Sequence, residues 1–514
     1  VKQSKRINCI QVVIQSTVAI VTINNPPVNA LAQPVRAALL DEFEQLQADD
    51  TVDAIVIRGS SGVFVAGADI NEFNAPALAP VLVDVIARIE ASRKPVVALI
   101  EGYALGGGLE LAMGCHYRIA ASNARLGLPE VRLGLLPGAG GTQRLPRLID
   151  PGIALDMMLS GEPVNAHRAL EIGLIDELCI EDGTQLLDYA RSRAADFARV
   201  KDPPRRTGAI ERAQSVSPQC ESEVLLKHSQ ILRKVPSATH IVESVHLASR
   251  GSFEDGVGFA RRTFEACRVG AVSRALRHLF FAERAANRAD RSGGNANVIM
   301  FGSSVSRVLD ACESCTNDQT VLVSMHPAFD PTAWTDSPQL LSRLVGYLPF
   351  QSEVSDTGVV VITRNVHTSS RAVSACVAIA RKAGRQSVQT IGPFALVDAR
   401  IRLAIDLATQ NLCRQGASEA SVQNALRKLG LRTTVSAEMQ NQFAVVDSLD
   451  DEVLDVIVSG LSEAGKELVG EGRMESCDDY DVLLIHGYGF ARHCGGPIWL
   501  MENTRCSERR EIFR

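Results

Sequence analysis

Alternation of apolar and polar positions opens the chain. QVVIQS and VAIVTIN are β-branched and partly alternating, which predicts two strands joined by a tight turn around Ser16–Thr17. Leu39, Leu40, Phe43 and Leu46 recur at helical spacing ahead of the strand-like AIVIRG. A second helix is expected near Val81–Ser92, just after Pro80, followed by PVVALIEG, a short apolar run suited to a buried strand. Strands alternating with helices predict an α/β crossover fold for residues 1–200.

Pro203-Pro204 and the polar stretch to Glu223 read as a linker. From Phe253 to Arg288 the pattern is helical again, with Leu276, Leu279 and Phe280 on one docking face, so 201–290 is expected to hold a linker and connecting helices. RSGGNAN (Arg291–Asn297) is the clearest boundary. Beyond it, a small α/β stretch is expected over 298–393 and a mostly helical region over 394–514.

Composition narrows the function classes. The chain has 514 residues, 46% of them apolar, enough for a sizeable core. Lys+Arg 53 against Asp+Glu 59 gives −6 with no basic block, so neither a nucleic-acid groove nor a polybasic membrane patch is expected. No apolar stretch approaches the ~18 residues of a membrane span, and VKQSKRINCIQVVIQS lacks the apolar core of a cleaved signal. A soluble intracellular protein with reduced thiols is the expectation. Of 12 cysteines only Cys312 and Cys315 form a CxxC; with no second pair, ordinary thiols are favoured over a zinc or redox site, and no metal is expected.

Candidate chemistry concentrates in PVVALIEGYALGGGLELAMGCHYRIA. Gly106-Gly107-Gly108 follows a buried strand and opens a helix carrying Glu110; the glycines allow a sharp turn and close approach of a ligand. The helix start offers unpaired N–H groups and a positive dipole end, suited to negative charge developing on a carbonyl oxygen. A plain tight turn is the alternative. Glu130 follows in RLGLPEVRLGLLPGAGGTQRLPR, a setting in which an unpaired carboxylate is costly. Two such carboxylates can divide acid and base duties; otherwise Glu130 caps the segment after Pro129 or pairs with Arg132. In SGVFVAGADINEF, Gly67 and Ala68 end an apolar strand and can turn N–H groups to a ligand, while Asp69 is open to reading as a helix cap.

Together with NNPPVNAL and ALEIGLIDE, these segments resemble, in order from about Val12 to Leu178, the crotonase (enoyl-CoA hydratase/isomerase) family. The resemblance implies a crotonase-type spiral fold. It also implies an oxyanion hole from the N–H groups of Ala68 and Gly107, and Glu110 and Glu130 as catalytic residues. Coenzyme A contacts are implied at Val28, Ala30, Ala66, Asp69, Ile70 and Asn71. The expected reaction is hydration of 2-trans-enoyl-CoA in fatty-acid β-oxidation, with Δ3-Δ2 isomerisation as a side activity and coenzyme A entering as part of the substrate.

SFEDGVGFARRTFEACRVGAVSRALRHLFFAERAANR and IHGYGFARHCGGPIWLMENT resemble parts of multifunctional β-oxidation enzymes, in which a hydratase is fused to a 3-hydroxyacyl-CoA dehydrogenase. The dehydrogenase pattern is eroded. A dinucleotide fold needs two βαβαβ halves, yet only 38 positions (326 − 288) separate Arg288 from His326, and no GxGxxG follows a strand there. Aligning VSMHPAFDP on Pro331 puts Pro327 where the resemblance expects the catalytic histidine, with His326 displaced by one and read as structural. Ser342 takes the dyad glutamate's place and Asp398 an asparagine's. A truncated Rossmann-like remnant is expected to bind no NAD. The alternatives are a full bifunctional enzyme and, in another class, a non-catalytic acyl-CoA-binding or assembly protein. A monomer or homo-oligomer fits, with a thiolase or another β-oxidation enzyme as conceivable partner, in the cytoplasm of a bacterium or the peroxisomal matrix of a eukaryote.

Overall fold

A computed structural model describes residues 6–7, 9–180, 183–200, 203–211, 213–288, 297–301, 320–326, 329–330, 337–350, 358–431 and 450–513. Cys312, Cys315, Pro327, Pro331 and the boundary segment up to residue 296 lie outside them. The chain forms two compact units, Val1–Ser273 and Arg274–Arg514.

In the first unit β1 (Arg6–Ile7), β2 (Ile10–Gln15) and β3 (Val18–Ile23) form an antiparallel meander. The predicted hairpin turns at Ser16, whose φ is +56°. From β3 the sheet continues in parallel through β4 (Ala54–Gly59), β5 (Val96–Ile100), β7 (Tyr117–Ala121) and β10 (Glu177–Cys179). A second, three-stranded sheet holds β6 (Tyr103–Leu105), β8 (Arg125–Gly127) and β9 (Val164–Asn165). One face of the large sheet, including Val56, Val97, Leu99 and Ile119, is covered by Leu186, Ala190 and Ala194 of the Gly183–Arg199 helix. This explains the continuous apolar run of β5: parallel strands covered on both faces have no polar side. The Gln33–Ala48 and Leu82–Glu90 helices appear where periodicity puts them; of the first helix's stripe, Leu39, Phe43 and Leu46 are buried and Leu40 is only partly so.

Two readings need correction. The stretch after Pro203 is docked on this unit rather than free: buried Thr207 donates to the Met113 carbonyl at 3.3 Å, and Arg205 reaches Asp176 at 2.6 Å. The unit accordingly continues past residue 200 through the Pro218–Lys227, Pro236–Arg250 and Phe253–Val269 helices. The helical run from Phe253 is also broken at Gly270, and a separate helix, Ala271–Ala286, follows.

The second unit has a five-stranded sheet, β11 (Val298–Phe301), β12 (Val321–Ser324), β13 (Leu344–Phe350), β14 (Val359–Arg364) and β15 (Gln386–Ile391), in that spatial order. Its pairings are parallel except β13 with β14, a departure from an all-parallel dinucleotide fold. The Ser370–Lys382 helix packs Ala372, Cys376 and Ala380 on Val323, Val345 and Val360. The remainder is helical, led by Phe394–Arg414 and Asp450–Gly470. Among the described residues no helix is long and apolar enough to cross a membrane.

Candidate active site

The site sits where the chain passes from one sheet of the first unit to the other. After β5, Gly102 (φ +59°) redirects the backbone into β6. Val65 pairs with β6: its N–H donates to the Tyr103 carbonyl at 3.0 Å and its carbonyl accepts from Leu105 at 3.1 Å. Gly106, at φ +51°, then starts the Gly107–Gly114 helix. A side chain there is opposed twice, by the left-handed backbone and by Glu130, whose Oε1 would lie 3.0 Å from a Cβ. At Gly108 a Cβ would lie 2.1 Å from the Val65 carbonyl oxygen, so the helix rests directly on the strand leading to Ala68.

That contact brings the two expected N–H donors together. A Cβ on Gly107 would be 3.4 Å from the Ala68 nitrogen. Gly107 is the first helical residue, so its N–H has no acceptor within the helix. Ala68 is held from behind, as Leu31 N–H donates to the Gly67 carbonyl at 2.9 Å and Ala66 N–H to Val28 at 3.1 Å. Neither the Ala68 nor the Gly107 N–H donates to a protein acceptor among the described residues.

Both glutamates border this turn, in different environments. Glu110 is buried, and its Oε1 accepts from the N–H groups of Ala139 and Gly141, each at 2.8 Å. Burial raises its pKa, opposed by those two N–H groups and by the Arg144 charge. Glu130 is the first residue of a 3₁₀ turn, Glu130–Leu133. Its Oε2 is shielded from solvent and has no hydrogen-bond partner among the described residues. Burial first, then the negative charge of Glu110, raise its pKa well above the usual carboxylate range. The simpler readings of Glu130 fail here: Pro129 occupies the cap position, and Arg132 pairs with Glu162. The pair therefore offers one carboxylate whose ionised form is hydrogen-bonded and one whose protonated form is favoured.

The expected coenzyme A contacts fall on two neighbouring stretches. Val28 is exposed, the Ala30 carbonyl accepts from Asn25 Nδ2 at 2.8 Å, and Ala66 joins the stretches through its bond to Val28. Asp69 caps the Ile70–Asn74 turn, its Oδ1 accepting from the Asn71 backbone at 3.0 Å and side chain at 2.9 Å. The capping reading of Asp69 thus holds, and its carboxylate is engaged within the protein.

Pattern reading missed the groups that hold Glu110. Ala139 and Gly141 lie in the quoted GAGGTQRLPR segment, but backbone donors leave no residue-type signal. Behind them the buried Arg144 donates to the Ala139 carbonyl at 3.1 Å and pairs with buried Glu90 at 2.7 Å. Glu90 also accepts from Gly208 N–H at 2.7 Å.

These features agree with sequence likeness. The enoyl-CoA hydratase/isomerase family model matches residues 13–249, beyond the Leu178 limit of the motif reading. A Bacillus subtilis protein named probable enoyl-CoA hydratase is 42% identical over 211 residues, which cover 40% of this chain and 81% of that relative. The chain belongs to the enoyl-CoA hydratase/isomerase family. Its hydratase-family unit also resembles the peroxisomal bifunctional enzyme of Danio rerio, 39% identical over 284 residues. That match covers 54% of this chain and 38% of the relative, so the likeness spans well under half of the bifunctional protein. Among solved structures, enoyl-CoA hydratase from Mycobacterium tuberculosis H37Rv is 27% identical, with 51% of this chain and 100% of that chain covered at a TM-score of 0.37.

In the second unit, the three positions compared with a dehydrogenase are engaged locally. Ser342 ends the short Pro338–Leu341 helix, its hydroxyl donating to the Gln339 carbonyl at 2.8 Å. Asp398 accepts from Arg402 Nε at 3.0 Å and from the Tyr488 hydroxyl. The His326 N–H donates to Ser324 Oγ at 3.2 Å.

Proposed function

We propose that the first unit hydrates 2-trans-enoyl-CoA thioesters to 3-hydroxyacyl-CoA within fatty-acid β-oxidation. The observation that carries this reading is a buried Glu110 and a half-buried Glu130 with one shielded oxygen, beside two N–H groups unengaged among the described residues at one glycine turn. The thioester oxygen lies between Ala68 N–H and Gly107 N–H, each donor stabilising the developing enolate by ~3–4 kcal/mol. Glu110, ionised and fixed by Ala139 and Gly141, takes a proton from water as the oxygen bonds to the β-carbon. Glu130, protonated, gives its proton to the α-carbon. Afterwards Glu110 holds the proton and Glu130 has lost one, so a net transfer through solvent resets the pair. Moving a proton between the α- and γ-carbons with the same groups gives Δ3-Δ2 isomerisation as a side activity. A non-catalytic acyl-CoA binder would have no use for two neighbouring acids whose pKa values are both raised. The peroxisomal relatives favour a peroxisomal matrix setting, and the acyl-CoA thioester is the substrate. Mixing the full chain with crotonyl-CoA should remove the enoyl-thioester absorbance; no loss above the uncatalysed rate overturns the proposal.

The second unit is proposed to bind no NAD and to oxidise no 3-hydroxyacyl-CoA. A dinucleotide needs a glycine-rich strand-to-helix turn at its pyrophosphate, which the sequence between Arg288 and His326 lacks. Ser342 cannot act as the carboxylate of a histidine dyad, and Asp398 is already held by Arg402 and Tyr488. Calorimetric titration with millimolar NADH should give no binding heat. A sustained 340 nm rise with 3-hydroxybutyryl-CoA and NAD would refute this part.

A further inference from the structure

We propose that Arg144, anchored by Glu90, is a positioning residue that sets the place and charge of the Glu110 carboxylate. The proposal rests on the hydratase reading above and names a part that reading does not need.

The argument starts with a three-residue strip of backbone. Ala139 and Gly141 turn their N–H groups to Glu110 Oε1, while the Ala139 carbonyl accepts from Arg144 Nη1 at 3.1 Å. Gly140, between them, has φ +103°, and a Cβ there would lie 2.2 Å from Arg144 Nη1. The guanidinium therefore fills the space that a side chain on the strip would need. It is fixed in turn: Nη2 and Nε reach Glu90 at 2.7 and 3.4 Å, and the Phe253 ring lies 4.9 Å from its central carbon. Arg144 and Glu90 are both buried, so the fork is screened little by water. Glu90 ends the Leu82–Glu90 helix, and Leu82 at the other end lies against Gly107, with Cδ2 2.6 Å from where a Cβ would sit. One ion pair thus braces the Glu110 cradle and the helix that backs an oxyanion donor.

The charges facing Glu110 are few. Glu130 lies across the turn and Arg144 comes from the Gly141–Leu148 helix, which also carries Arg147; Glu90 from the Leu82–Glu90 helix offsets Arg144. Arg144 favours ionised Glu110, so its neutral replacement should raise the pH at which the base is lost.

The test uses the full chain, crotonyl-CoA and pH profiles for wild type, Arg144→Gln, Arg144→Lys and Glu90→Gln, with circular dichroism on each. Arg144→Gln should lower kcat about 100-fold, the scale of an ångström-sized misplacement, while KM stays within about twofold. Its acid limb should move up by about one pH unit, the scale of losing a nearby opposite charge. Arg144→Lys restores the charge but not the fork, so the limb should return toward wild type while kcat stays about tenfold down. A folded Arg144→Gln with wild-type kcat and acid limb overturns the proposal. If that variant does not fold, wild-type kcat in both Arg144→Lys and Glu90→Gln overturns it instead. Absence of hydration by the wild type refutes the hydratase reading itself, a separate outcome.

Discussion

Each unit sets a glutamate among other ionisable groups, buried for Glu110 and half-buried for Glu283, and the two settings are opposite. In the second unit Glu283, on the Ala271–Ala286 helix, is gripped by His486 at 2.7 Å and by Arg492, whose Nη2 is 2.9 Å from Oε2. Those partners outweigh burial and hold its pKa down to about 2. Among the described residues of the first unit, Glu110 has backbone donors but no direct cation, and Glu130 Oε2 has no hydrogen-bond partner. Burial wins there, and both acids are pushed upward. A carboxylate that only holds a fold together is best paired and ionised; one that must exchange a proton near neutrality is best left short of partners. On the proposed function, the contrast separates a chemical site from a structural one using groups of the same type.

The largest effect should come from removing either proposed proton carrier. Glu110→Gln or Glu130→Gln should lower kcat by ~10²–10⁴ while coenzyme A ester binding stays largely intact. At neutral pH Glu130→Gln should also leave the melting temperature of the first unit unchanged or higher. The sign follows from its raised pKa: a group whose folded pKa exceeds its unfolded value loses stabilisation as pH rises between the two, so an uncharged isostere relieves a cost. Near-normal turnover in either variant removes that glutamate from the mechanism. A marked loss of stability in Glu130→Gln would place it with Glu283 and erase the contrast.

A smaller loss is expected when the cradle is disturbed and both acids are kept. A Cβ on Gly141 would lie 2.9 Å from Glu110 Oε1 and 2.9 Å from Pro137 Cβ. The carboxylate is the end of a side chain and yields first, giving up its two short N–H bonds. Gly141→Ala should therefore lower kcat about 10- to 100-fold and shift the acid limb upward, because the donors that favoured ionised Glu110 are lost. Unchanged kinetics would show that the two N–H groups are incidental to Glu110.

What could be read from the sequence divides along the same physical line. The Gly106 turn was legible because left-handed backbone and contact with Glu130 each exclude a side chain, and steric demands leave a residue-type signature. Glu110 and Glu130 stand out as carboxylates in apolar runs, but in the sequence a cap or a pair with Arg132 explains Glu130 equally well, and only the resemblance to the crotonase family assigns them a shared role. The strands and the first two helices followed from periodicity. Backbone donors such as Ala139 N–H were not visible, since any residue supplies one, and Glu90 and Arg144 stand 54 positions apart with no pattern linking them. The stretch after Pro203 was polar enough to pass for a linker; Thr207, Gly208 and Arg205 spend that polarity on Met113, Glu90 and Asp176 instead. Polarity alone does not distinguish a solvated segment from one docked through hydrogen bonds. Gly270 was overlooked because the apolar spacing runs on through it.

The smallest effect on catalysis belongs to the other half of the comparison. Glu283→Gln breaks a half-buried ionic cluster in which His486 is buried and Arg492 is exposed, leaving both without their carboxylate, a change worth about 1–3 kcal/mol for charged hydrogen bonds left unmade. Trp499 is buried in the second unit, so the change in its fluorescence during urea unfolding reports on that unit. The variant's midpoint should drop at pH 7 while hydration of crotonyl-CoA in the absence of urea stays within about twofold. The pH dependence carries the sign. Glu283 has a folded pKa of about 2, below its ordinary 4.5, so its stabilisation is fully present above the unfolded pKa and is lost as pH falls through the folded one. The gap between wild type and variant should be constant above about pH 5 and narrow steadily between 4.5 and 2. A gap that stays constant down to pH 2 would mean that Glu283 is not held ionised by His486 and Arg492, and the contrast with Glu130 would lose its structural half.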